Sequence, residues 1–113
     1  MSAQEVAERM AQLRREYRAK LPLELQQLQA LGRDFAAAGA IETEAVLREL
    51  EHRLHKLSGS GASFGLPLLS QHTRVLEQRI AGWLVSGAAA QVAHSERQQL
   101  LQALQRLPVL LAP

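Results

Sequence analysis

The sequence predicts an all-α fold: an antiparallel four-helix bundle with an additional short N-terminal helix. Three observations predict it. The 113-residue chain is 47% hydrophobic but only 4% aromatic, with Leu and Ala dominant, and such a composition suits helices better than strands. Apolar residues recur at spacings of three and four, the mark of a helix with one buried face. Proline and glycine fall between these segments, where helices begin and stop. The length suits one domain, residues 1–113, with the bundle over about 22–107.

The elements follow in order. From Ala3 to Lys20, Val6, Met10, Leu13 and Tyr17 share a face, which predicts the short leading helix. Pro22 suits the first turn of a second helix, where its missing N–H is no loss, and Leu21, Leu25, Leu28, Leu31 and Phe35 form its stripe. Gly39 marks its end. Thr43 is a suitable N-cap for a third helix, whose stripe runs Leu47, Leu50, Leu54, Leu57, Gly61 and Phe64 before Gly65 stops it. Pro67 opens a fourth helix, with Leu69, His72, Leu76, Ile80 and Trp83 or Leu84 facing inward, and Ser86-Gly87 closes it. The last helix, from about Ala93 to Leu107, uses Leu100, Leu101, Leu104 and Leu107 and stops at Pro108.

Charge and composition exclude several functions. The formal net charge is +2, and Lys and Arg are scattered at helical spacing rather than massed on one face, so no nucleic-acid partner is expected. The chain has no cysteine, which removes disulfides and thiolate metal sites. The N-terminal segment is charged throughout, so no membrane partner is expected and a cytoplasmic location is the default.

One stretch holds the chemistry: His55-Lys56-Leu57-Ser58-Gly59-Ser60-Gly61-Ala62-Ser63-Phe64-Gly65. A phosphate-binding loop would need a preceding strand and different glycine spacing. A linker would not carry the apolar stripe onward to Phe64. The run is therefore the end of a helix made thin on one side. Each interior glycine destabilises a helix by about 1 kcal/mol relative to alanine, so Gly59 and Gly61 must serve something. At about 100° per residue, Arg48, His52, His55, Gly59 and Ala62 lie along one outward face, while Gly61 lies on the stripe. His55 is then an exposed imidazole with open space beside it. Two readings fit these residues: a solvated surface histidine beside a packing-driven glycine pair, or a nucleophile that a partner's active site can reach.

The run, followed by Leu66-Pro67-Leu68-Leu69 and ending in Leu76-Glu77, resembles the signature of histidine phosphotransfer (HPt) domains, roughly H-x-L-K-G-S-x-x-x-F/L-G and a following helix. His55, Leu57, Gly59, Ser60, Phe64 and Gly65 match in register. The resemblance implies a phosphocarrier in a two-component multistep phosphorelay rather than an enzyme. His55 would accept a phosphoryl group from the aspartate of a response-regulator receiver domain, or from a hybrid sensor histidine kinase, and pass it to another receiver. It implies no cofactor of the chain's own, with Mg²⁺ supplied on the partner receiver. The family usually carries lysine where this chain has Ser58, and that lysine is thought to help hold the phosphoryl charge. Lys56, His52 and Arg48 are the cationic substitutes the helix offers nearby. The position matching the family's polar partner of the histidine is Glu77, which would accept from Nδ1–H and leave Nε2 as nucleophile. Ala62 belongs to the small-residue surface expected to meet the partner, and a monomer is expected.

Other constellations are weaker. His52 and His55 have metal-ligand spacing but no evident third ligand. His94 reads as solvated surface. A kinase dimerisation hairpin would place an acid directly after the histidine, and Lys56 stands there instead. The alternative of another class is a helical adaptor that binds a receiver or other signalling partner without accepting phosphate.

Overall fold

The computed structural model describes residues 1–111, with Ala40 described by its backbone alone. Four α-helices make up the fold: α1 (Ala3–Ala37), α2 (Ala40–Ser63), α3 (Pro67–Val85) and α4 (His94–Arg106). Short 3₁₀ turns cover Ala89–Gln91 and Leu107–Leu111. Two- and three-residue connections join α1 to α2 and α2 to α3, which forces those neighbours antiparallel. Around the bundle the order is α3, α2, α1, α4, and the C-terminal 3₁₀ turn packs against α3 to close the side opposite α2. No helix among the described residues is long and apolar enough to cross a membrane.

The core is the predicted stripe, with Leu21, Leu25, Leu28, Phe35, Leu47, Leu50, Leu54, Leu69, Ile80, Leu100 and Leu104 all but inaccessible. Two glycines in the left-handed region end helices as the sequence predicts: Gly65 at φ +82° after α2 and Gly87 at φ +71° after α3. Gly32 allows the close approach of α1 and α4, since a Cβ there would lie 2.7 Å from Leu104 Cδ1. Arg97 is buried beneath the ring of Phe35, its guanidinium carbon 4.8 Å from the centroid. It donates to the carbonyls of Phe35 and Val92, both at 2.9 Å, tying the foot of α4 to the end of α1.

Three expectations are corrected. The leading helix is not separate: α1 runs unbroken for 35 residues with Pro22 inside it. Proline removes one helical hydrogen bond and crowds the carbonyl four residues back, a penalty of about 3 kcal/mol. Here Pro22 is exposed, so that carbonyl lies on the wet side, while Leu21, Leu25 and Leu28 are buried and hold the turns on which they sit. Tertiary packing outweighs the local break. Secondly, α2 starts four residues earlier than an N-cap at Thr43 predicts. Gly39 is the N-cap and Thr43 is buried one turn in, its hydroxyl donating to the Gly39 carbonyl at 2.8 Å. Thirdly, Thr73 rather than His72 faces the core of α3. Its hydroxyl donates to the Leu69 carbonyl at 2.8 Å, which satisfies it inside the bundle. His72 is exposed, its Nδ1 donating to the Leu68 carbonyl at 2.8 Å.

Candidate functional site

The stripe fixes where His55 points. Leu54 and Leu57 are buried, and at about 100° per residue His55 is turned at least 100° away from each, so its side chain faces out and is 74% exposed. Across the seam, Leu76 and Ile80 anchor α3 and set Glu77 on its flank beside α2, with its side chain 21% exposed. The two meet: His55 Nδ1 lies 2.7 Å from Glu77 Oε1. A carboxylate only accepts, so Nδ1 carries the proton and donates. In the neutral ring the Nε2 lone pair is then free on an exposed imidazole, oriented by a largely shielded carboxylate.

The seam beneath this pair is lined by small residues, Ser58, Gly61 and Ser70. Ser58 and Ser70 bond each other's carbonyls, Ser58 Oγ to Ser70 O at 3.2 Å and Ser70 Oγ to Ser58 O at 2.7 Å. One turn on, a Cβ at Gly61 would touch Ser70 N at 3.4 Å, leaving no room for a longer side chain. Leu66 N–H donates to the Gly61 carbonyl at 2.8 Å as the chain turns into α3. The end of α2 is held to α1 as well. The rings of Tyr17 and Phe64 stack with centroids 4.7 Å apart, and the Tyr17 hydroxyl is 2.8 Å from Ser60 Oγ. Burial pushes the Tyr17 phenol above its ordinary pKa, partly opposed by the Ser60 hydrogen bond and reinforced by Glu24. His55 thus stands on a doubly braced helix end.

Above the seam is an open cleft of about 390 Å³, lined by His55, Ser58, Gly59, Arg74, Glu77 and Gln78. Of the residues singled out from sequence, the cleft gathers His55, Ser58, Gly59 and Glu77. A Cβ at Gly59 would meet nothing within 4 Å, so that flank of the imidazole is open space. Ala62, one turn further, is exposed on the same side. Arg48, His52 and Lys56 do not line the cleft. Arg48 pairs with Glu44 on its own helix at 2.6 Å, two turns before His55. Ser58 is only 3% exposed and works as a seam residue rather than as a cleft donor. Sequence reasoning missed Arg74 and Gln78. Arg74, three before Glu77, shares its flank of α3, but that this flank and the adjoining Gln78 meet the cleft shows only once α2 and α3 are docked.

The arrangement can present one oriented imidazole nitrogen, with an acid behind it and open space beside it, to a group delivered from outside. The family model described as Hpt domain matches residues 1–108. No curated protein and no solved structure gave a significant match.

Proposed function

The chain belongs to the Hpt domain family, whose role is histidine phosphotransfer in phosphorelays, and from that premise we propose that His55 is its phosphoacceptor. The observation that carries the assignment is the 2.7 Å contact between His55 Nδ1 and Glu77 Oε1 on a ring that is 74% exposed. The donor is the aspartyl phosphate of a receiver domain, or ATP held by a kinase, and the acceptor is a second receiver.

In the forward step the Nε2 lone pair of neutral His55 attacks phosphorus. The P–N bond forms as the P–O bond to the aspartate breaks, and that electron pair leaves with the aspartate carboxylate. The proton on Nδ1 stays in place. The ring gains positive charge as Nε2 bonds to phosphorus, and the Glu77 carboxylate behind it offsets that charge. Transfer onward is the reverse, with the second receiver's aspartate as nucleophile. The chain holds the group between partners, and the partner's acid cluster with its Mg²⁺ supplies the remaining catalysis, so the protein acts as a carrier rather than an enzyme.

Gly59 and Ala62 leave the approach clear, and docking is brief, with a buried area of about 1,200 Å² or less. The test is transfer of radiolabel from a receiver loaded with acetyl phosphate. Label is expected on the wild-type protein and not on His55→Gln. Absence of label from both, with binding retained, supports a non-phosphorylated adaptor instead.

A further inference from the structure

The cleft contains a basic group that the sequence alone did not connect with His55. We infer that Arg74 holds the phosphoryl oxygens on His55, supplying from α3 the positive charge that the family places on α2 at position 58. This rests on the reading of His55 as phosphoacceptor.

Phosphorylation adds about two negative charges, which need a cation or amide donors nearby. Position 58 supplies none: Ser58 is neutral, buried and committed to the Ser70 carbonyl. The cations expected on α2 are misplaced for the task. Arg48 lies about 10 Å along the axis from His55 and is paired with Glu44. Lys56 is turned about 100° around the helix from His55, and neither it nor His52 lines the cleft.

Arg74 is the one arginine or lysine among the lining residues. It stands one turn before Glu77, and among the described residues it makes no ion pair. The Glu77 carboxylate pairs with His55 Nδ1 through Oε1, and no ion pair joins it to Arg74 among the described residues. A guanidinium offers a fork of N–H donors matched to two phosphoryl oxygens, and Gln78 adds an amide at the same rim. The charges are thus divided along the ring. The acid faces the nitrogen that becomes part of a cation, and the arginine faces the group that carries the negative charge.

The test separates this inference from the assignment of His55. Wild-type, Arg74→Gln and Arg74→Lys proteins are phosphorylated chemically with phosphoramidate, and peptide mass spectrometry locates the group on His55. Phosphorus NMR then follows the second ionisation of the phosphoryl group. A nearby cation favours the dianion, so Arg74→Gln should raise that pKa by about 0.5 or more, with Arg74→Lys in between. In exchange with a phosphorylated receiver, Arg74→Gln should move the equilibrium several-fold toward the receiver's aspartate. An unchanged phosphoryl pKa in Arg74→Gln overturns the inference even where transfer to His55 is normal. A raised pKa without any transfer from receivers upholds the role of Arg74 and rejects the phosphoacceptor assignment. A purely structural role would lower thermal stability and leave the phosphorus titration in place.

Discussion

Ser58 and Ser70 are clasped across the α2–α3 seam, each hydroxyl donating to the other's backbone carbonyl, at 3.2 and 2.7 Å. Both are buried, so neither hydroxyl is available to a ligand. The residue that departs from the family pattern is thereby explained by packing. A serine at position 58 lets two helices approach where a lysine stem would have to be accommodated.

Substitution of Ser58 tests that clasp. Ser58→Ala removes one hydrogen bond and is expected to lower stability by about 1 kcal/mol. Ser58→Lys has to force a longer stem out of the seam, and is expected to lower it by roughly 1–3 kcal/mol. Urea denaturation reads both. Its ammonium, where it reaches the cleft, should also change the lifetime of the phosphorylated state. An unaltered urea midpoint for Ser58→Lys means that the seam has slack.

Glu77 is expected to act through both geometry and charge. Glu77→Gln keeps an oxygen that accepts from Nδ1 but loses the negative charge, whereas Glu77→Ala loses both. Transfer rates should fall in that order, with the alanine variant slower by roughly 100-fold, the scale of a positioned acid–base partner. Initial rates of labelling from a phosphorylated receiver provide the measurement. Equal rates for wild type and Glu77→Ala would remove Glu77 from the mechanism.

Gly59 separates stability from access. A Cβ there meets nothing within 4 Å, so Gly59→Ala should stabilise the helix by about 0.5–1 kcal/mol with transfer unchanged. Gly59→Leu should keep the stability and slow transfer tenfold or more, because its branched end would stand beside the imidazole. Thermal melts together with transfer kinetics decide the matter, and rapid transfer by the leucine variant would mean that this flank is not the route of approach.

The Tyr17 phenol gives a pH dependence. Its pKa is raised by burial in the folded protein, so folding favours the protonated form. The stability it contributes is fully present below pH about 10, the ordinary value, and is lost as pH rises through the higher folded value. Denaturation between pH 8 and about 11 should therefore show stability falling at the alkaline end, and Tyr17→Phe should flatten that fall. A slope identical in both proteins would place the titration elsewhere.

The limits of sequence reading are physical. The Leu47–Leu57 stripe and the turn at Gly65 are local regularities, and they predict the third helix and the outward aspect of His55. Pro22 misleads because its local penalty is overcome by burial of Leu21, Leu25 and Leu28, which depends on the rest of the bundle. Thr73 misleads because its polarity hides an internal hydrogen bond to Leu69. Glu77 was reached through the resemblance, at a fixed offset from His55. Arg74 needed the docked helices, since nothing in the spacing of α3 alone says that its flank meets the cleft.

The small side chains at Gly59 and Ala62 have a further effect on how long a partner stays. A surface built of long side chains must freeze their rotamers on contact, at about 0.5–1.5 kcal/mol for each one immobilised. Glycine and alanine have no such rotamers to lose. A partner docking on this flank, as proposed, would have few rotamers to fix there and little area to grip. A relay component has to meet two partners in turn and release each, and a surface so bare favours quick engagement with an equally quick departure.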